Sequence, residues 1–167
     1  MDRGASLTFS GRQVPLHALE VLAGAVGCDP DRADSRCCMV KVIRGRAKLK
    51  RLSKRSGTFP GRAGDAPTSP SSLFRGAGTL MVVYAKPSGG RYSIGDCYLA
   101  AHDIMLAAHG MGIVSCSIGS ARPWLDLDEV KGEFGIPLRY TAAFTLVLGY
   151  LPRNAAGPRS SWSGILN

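Results

Sequence analysis

Acidic residues are absent between Asp34 and Asp65, and the whole 167-residue chain holds only 12 of them against 21 lysines and arginines. Ten of those bases lie in the acid-free stretch: Arg36, Lys41, Arg44, Arg46, Lys48, Lys50, Arg51, Lys54, Arg55 and Arg62. The other bases nearly cancel the acids, so one segment carries the net charge of +9. A block of this kind can meet nucleic acid, anionic lipid or a phosphorylated ligand, although its ordinary use is a solvated helix face. Aromatic residues are also scarce, at 7%, and only Phe59 falls inside the block. Base stacking is therefore poorly supplied, which argues against single-stranded nucleic acid as a partner.

Long apolar runs are missing too. The richest stretch is broken by Asp96, His102 and Asp103, well short of the ~18–20 residues that a membrane helix needs. Met1–Thr8 lacks the charged-then-apolar layout of a secretory signal. The five cysteines are odd in number and show no C-x-x-C spacing, and the three histidines form no H-x-x-x-H pair. Structural zinc is without support, and reduced, buried thiols are the expected state. What is present is ordinary globular material: 45% hydrophobic residues and a mean hydropathy of +0.03, which exclude a disordered or collagen-like chain. The expectation is a soluble, cytoplasmic protein with residues 1–167 in one domain.

Residues 15–27 read as an amphipathic helix, with Pro15 in its first turn and Leu16, Leu19, Leu22, Ala23 and Val26 on one face. Met39–Ile43 is a short β-branched strand. Leu49 and Leu52, three apart among bases, predict a short helix resting one narrow edge on the core. Residues 56–78 read mostly as loop, rich in Gly, Pro, Ser and Thr as far as residue 72. Thr79–Tyr84 is apolar and short enough for a buried strand. Asp96–Met111 predicts the strongest helix, with Cys97, Ala101, Ile104, Met105 and Ala108 as its buried stripe and Gly110 and Gly112 as its end. Ile113–Ile118 is extended. Asp126–Glu129 opens an acidic helix closed by Gly135 and Pro137, and Ala143–Tyr150 is another buried strand. A helix precedes any strand, so a simple βαβ series does not fit. The class is α+β, a central mixed or antiparallel sheet flanked by helices.

From Gly95 onward the pattern becomes specific. Asp96-Cys97, Leu106-Ala107-Ala108, Gly112, Ile118-Gly119, Gly135-Ile136-Pro137 and Gly149-Tyr150 follow one another in an order and spacing that resembles the C-terminal half of the FMN-dependent nitroreductase family. Pro158-Arg159 and the Ile165-Leu166-Asn167 ending resemble that family's tail. Its N-terminal phosphate motif, Arg-Arg-Ser-x-Arg-x-aromatic, aligns through Phe9 and puts Arg3, Gly4, Ala5 and Leu7 at the motif's four polar positions. Ser6 stands one residue from the serine position. The family's next element, Ala-Pro-Ser with Asn and Gln-Pro-Trp, is replaced by CDPDRADSRCC at residues 28–38.

The resemblance implies an FMN oxidoreductase. In it, NAD(P)H reduces the flavin, and electrons pass to a nitroaromatic, quinone or similar acceptor in ping-pong fashion, at sites between the two chains of a homodimer. It also nominates residues. Ser117, Ile118, Gly119 and Ser120 would lie against the flavin ring, where a glycine without Cβ lets backbone approach closely. Arg3, Ser6 and Arg159 would hold the phosphate, for which a guanidinium is well suited. The apolar tail around Trp162, Ile165 and Leu166 would pack on the neighbouring subunit. The altered Arg3–Leu7 and Cys28–Cys38 segments keep a second reading open, a flavin-free scaffold that binds a partner. Nucleic-acid binding through Arg36–Arg62 is a third.

Overall fold

The computed structural model describes residues 8–26, 38–57, 73–87 and 93–153. Its elements in chain order are α1 (Leu16–Gly24), β1 (Cys38–Arg44), α2 (Arg46–Gly57), β2 (Thr79–Ala85), α3 (Ser93–Gly110), β3 (Val114–Ser117), a 3-10 turn (Gly119–Ala121), α4 (Arg122–Leu125), α5 (Asp128–Glu133) and β4 (Thr141–Gly149). The four strands form one sheet in the order β1-β2-β4-β3, and every pairing is antiparallel. The α+β class holds, and the sheet resolves to the antiparallel alternative.

Thr79–Ala85 is buried at every position. A strand can be apolar on both faces only if both faces are covered, and here they are. Leu80, Val82 and Tyr84 face one layer with Leu49 and Leu52 of α2, Trp124 and Leu125 of α4, and Phe134. Met81, Val83 and Ala85 face the other, with Leu19 and Leu22 of α1 and Cys97, Ala101, Ile104 and Ala108 of α3. Each fully buried leucine or isoleucine in these layers contributes about 1.5–3 kcal/mol. The alternation slips once. Val83 opposes Phe144 but Tyr84 opposes Ala142, so Ala143 is an extra residue in β4. Ala143 and Phe144 consequently both pack in the α1–α3 layer, and the Phe144 ring meets Tyr98 of α3 edge-on at 5.3 Å.

The segment before α1 is tied to the far ends of the central strands. Phe9 donates its N–H to the Arg75 carbonyl and Ser10 to that of Tyr150. The Phe9 ring lies over Gly149, where a Cβ would come within 2.8 Å of it. Arg12 stacks on Tyr150 with 4.1 Å to the ring centroid.

Several expectations need correcting. Leu16 does not join the apolar face of α1 but is 56% exposed, because the helix starts there and Pro15 caps it from outside. The helix predicted from Asp96 begins at Ser93. The acidic helix opens later than predicted: Asp126 caps the end of α4, Leu127 is extended, and α5 starts at Asp128. Ser56 and Gly57 belong to α2. Residues 58–72, the bulk of the expected loop, lie outside the described residues.

Candidate functional site

The loop between β3 and α5 carries the Ser117–Ser120 segment, and β4 grips it at several points. Ile118 donates its N–H to the Thr145 carbonyl at 2.9 Å. Arg122 donates from Nε to the Ala142 carbonyl at 3.2 Å and from a terminal nitrogen to the Tyr98 hydroxyl at 3.1 Å. Asp126 accepts the Ala142 N–H at 2.9 Å and pairs with Lys131 at 3.3 Å. Lys131 is buried and also donates to the Leu138 carbonyl at 3.0 Å. Below the loop, Tyr84 donates its hydroxyl to the Leu125 carbonyl. Burial, followed by the negative charge of Asp126, pushes this phenol well above the ordinary tyrosine range.

Within this frame Ile118 is buried while Ser117, Gly119 and Ser120 face solvent. Gly119 does not have a left-handed backbone, and a Cβ added to it would meet nothing within 4 Å. Neither strain nor packing therefore accounts for a glycine at this position. It leaves a patch of bare, accessible backbone at the start of a 3-10 turn, where the first N–H groups have no acceptor inside the turn. A planar aromatic ring could lie against such a patch, and FMN fits the arrangement on this side.

Among the predicted site residues, Ser117, Ile118, Gly119 and Ser120 are consecutive in the loop, tied to β4 through the Ile118 N–H. Arg3, Ser6 and Arg159 lie outside the described residues, as do Trp162, Ile165 and Leu166. Trp124, just after the Ser117–Ser120 segment, is a core residue with 4% exposure. His17, His102 and His109 are exposed, and no group of His, Cys, Asp or Glu among the described residues could hold a metal ion. Cys38 and Cys97 touch through their sulfurs in the core, and Cys116 is partly buried in β3.

One feature of the surface was invisible in the sequence. A cavity of about 560 Å³ opens between α2 and the turn before β2, lined by Arg46, Ala47, Leu49, Lys50, Ser53, Phe74, Gly76 and Ala77. The basic block pointed to this helix, yet nothing in it distinguished Arg46 from its neighbours. Its partners, Gly11 and Gly76, are 35 and 30 positions away in the chain.

An antiparallel α+β sheet covered on both faces, with a strapped loop of bare backbone beside it, defines the structural class. Solved structures of that class include a nitroreductase with bound FMN from Bacteroides fragilis, with a TM-score of 0.76 and 21% identity over 99% of this chain and 93% of that one. Another FMN-bound nitroreductase, from Desulfitobacterium hafniense, has a TM-score of 0.72 and 22% identity over 93% of this chain and 87% of the other. An FMN-dependent nitroreductase from Clostridium difficile gives 0.71 and 16% over 99% and 94%. No curated protein sequence matches. The nitroreductase family model matches residues 8–150, and the chain belongs to that family.

Proposed function

We propose that this protein is an FMN-dependent oxidoreductase of nitroreductase type, using NAD(P)H and passing electrons to a nitroaromatic, quinone or similar acceptor. The observation that carries the reading is the Ile118–Gly119 segment: open backbone, pinned to β4, at the place where the family pattern expects the flavin ring. When bound, FMN would supply the redox chemistry itself, so few protein groups are needed for it. The task of this chain is to orient and to shield. The β4 grip on Ile118 and Arg122 holds the chain on both sides of Gly119, and Ile118 and Ala121 are buried beneath the loop. Ser117 and Ser120 flank the open backbone, and Arg3, Ser6 and Arg159 are assigned to the phosphate.

A homodimer belongs to this reading. Ile94, Tyr98, Leu99 and Leu106 of α3 are all exposed, Leu99 by 67%, and Leu16 and Val21 of α1 add to the apolar surface. So many exposed large apolar side chains on two neighbouring helices are costly for a monomer and support a subunit interface. A cytoplasmic setting, which provides reduced nicotinamide nucleotide, goes with the proposal, and no helix among the described residues is long and apolar enough to cross a membrane.

The test is a visible spectrum of the purified protein before and after adding FMN, followed by light scattering. A yellow protein, or one that becomes yellow and retains flavin through desalting, with dimer mass, is the expected result. A protein that stays colourless with excess FMN overturns the reading and leaves the flavin-free scaffold.

A further inference from the structure

We propose that Cys38 and Cys97 are a peroxide-oxidisable pair that cross-links β1 to α3 through a reversible disulfide. The inference stands apart from flavin binding. Cys38 opens β1 and Cys97 lies in the second turn of α3, 59 positions further along the chain. Their sulfurs nevertheless meet at 2.7 Å in the α1–α3 layer. Local sequence does not impose this meeting; it follows from the packing of α3 on β1 and on the strands beside it. Cys116 takes no part, since it lies in β3 and donates its thiol proton to the Ser117 carbonyl at 3.7 Å.

Disulfide geometry is demanding, and cysteine pairs fail it when their backbones are too far apart or their side chains diverge. Here the side chains converge until the sulfurs touch, so the movement needed for a bond is confined to the side chains. The residues beside the pair are also small. Ala85 stands opposite Cys38 in the ladder, and Ala100 and Ala101, both buried, lie one turn on from Cys97.

The two thiols differ in access. Cys97 has no exposure, whereas Cys38 keeps 9% at the first position of an edge strand of the described sheet. A solute as small as hydrogen peroxide therefore meets Cys38 first. The Cys38 sulfur attacks a peroxide oxygen, the O–O bond breaks, and the departing hydroxide leaves as water with the thiol proton. A sulfenic acid remains on Cys38. The Cys97 sulfur then displaces the sulfenic hydroxyl, which leaves as a second water with the Cys97 proton. Two thiols and one peroxide become one disulfide and two waters; the sulfurs lose two electrons and the peroxide oxygens gain them. Because the linked residues are far apart in the chain, the cross-link restricts the unfolded state and stabilises the native one. It also fastens the start of β1 to the turn of α3 that carries Tyr98, whose hydroxyl accepts from Arg122 of the candidate site loop.

Full-length protein is reduced, desalted and treated with hydrogen peroxide under native conditions, then quenched in acid and alkylated in denaturant. Intact mass and peptide mapping are applied to the wild type, Cys38→Ala, Cys97→Ala, and a triple variant carrying Cys28→Ser, Cys37→Ser and Cys116→Ser. In the triple variant Cys38 and Cys97 are the sole cysteines. Circular dichroism checks folding. The expected result in the wild type and the triple variant is the loss of two hydrogens and two alkylation sites, reversed by dithiothreitol, with fragment ions joining Cys38 to Cys97. The melting temperature should rise by several degrees on oxidation, and each alanine variant should lose both the cross-link and the rise. If the triple variant does not fold, the fragment ions from the wild type decide. A pair that stays fully alkylated, or a Cys38 that proceeds to sulfinic acid with Cys97 still alkylated, overturns the inference. So does a disulfide joining Cys38 to another cysteine, or a cross-link with no rise in melting temperature, which would have formed in opened molecules. None of these outcomes bears on the flavin titration.

Discussion

The loop from Ser117 to Lys131 and the helix from Arg46 to Gly57 use charge in opposite ways. In the loop Arg122, Asp126 and Lys131 spend their polar groups on backbone, on the Tyr98 hydroxyl or on each other. The outcome is a fixed shape that offers a ligand little but bare backbone at Gly119. On α2 the charges are mostly solvent-facing, and Arg46 and Lys50 are uncommitted beside a cavity. Paired charge builds the mould, and unpaired charge remains available to a ligand. The two regions should therefore respond differently to substitution: the loop through stability, the helix through affinity.

Asp126→Ala should have the largest effect. It leaves the buried Lys131 ammonium without its counter-charge and removes the acceptor for the Ala142 N–H. The cation of this pair is buried and the carboxylate partly exposed; losing the carboxylate together with the acceptor for the Ala142 N–H costs about 3 kcal/mol, and urea unfolding should show a loss of that order. A loss below roughly 1 kcal/mol would mean that the loop is not held by this pair. Arg159→Ala should come next, raising the FMN dissociation constant by roughly 10- to 100-fold through loss of a charge-assisted contact. Single alanine changes from Lys48 to Arg55 should each have a smaller effect, because solvent-exposed charges act through a screened field. Equal or larger losses from that block in a fluorescence titration would mean that the phosphate is not held at the end of the chain.

Gly119→Leu probes the bare backbone directly. The added side chain has open space and an ordinary backbone conformation, so the melting temperature should hardly move. It would occupy the place assigned to the flavin ring, and FMN affinity should fall about tenfold, or 1.4 kcal/mol. Unaltered affinity would remove Gly119 from the site. A smaller effect, in the opposite direction, is expected in the sheet. The hydroxyls of Thr79 and Thr145 are buried without a hydrogen-bond partner among the described residues. Replacing either by valine, which has nearly the same shape, should stabilise the protein by up to about 1 kcal/mol in denaturant titration. Smallest of all, Glu133→Gln removes the exposed pair with Arg55 and should cost at most about 0.5 kcal/mol.

The two regions also differed in how much of them could be read from the chain. From Asp96 to Tyr150 the information is local. The stripe of Cys97, Ala101, Ile104 and Ala108 has helical spacing, Gly112 and Gly135 adopt the left-handed conformations that end helices, and β4 is a continuous apolar run. Element types there followed directly, and so did the family pattern. What escaped was set by contacts between distant positions. Asp126 read as the first acid of a helix because its neighbours are acidic, yet the Ala142 N–H and Lys131 claim it. Leu16 matched the apolar period, but the helix begins on the outer side of the core there. The extra residue at Ala143 is a property of the β2–β4 register rather than of either strand. The same is true of the contact between Cys38 and Cys97, 59 residues apart. In the candidate site, Ile118–Gly119 was legible as a motif, whereas the uncommitted state of Arg46 depends on Gly11 and Gly76 and emerges only in three dimensions.

Retention of FMN by a chain with an altered N-terminal phosphate motif separates the oxidoreductase from the flavin-free scaffold. Titrating FMN into the purified full-length protein and following the flavin absorbance band tests that most directly. Saturable binding of one FMN per chain is expected, with a shifted and structured band that survives desalting. A spectrum that remains that of free FMN at every protein concentration would contradict it.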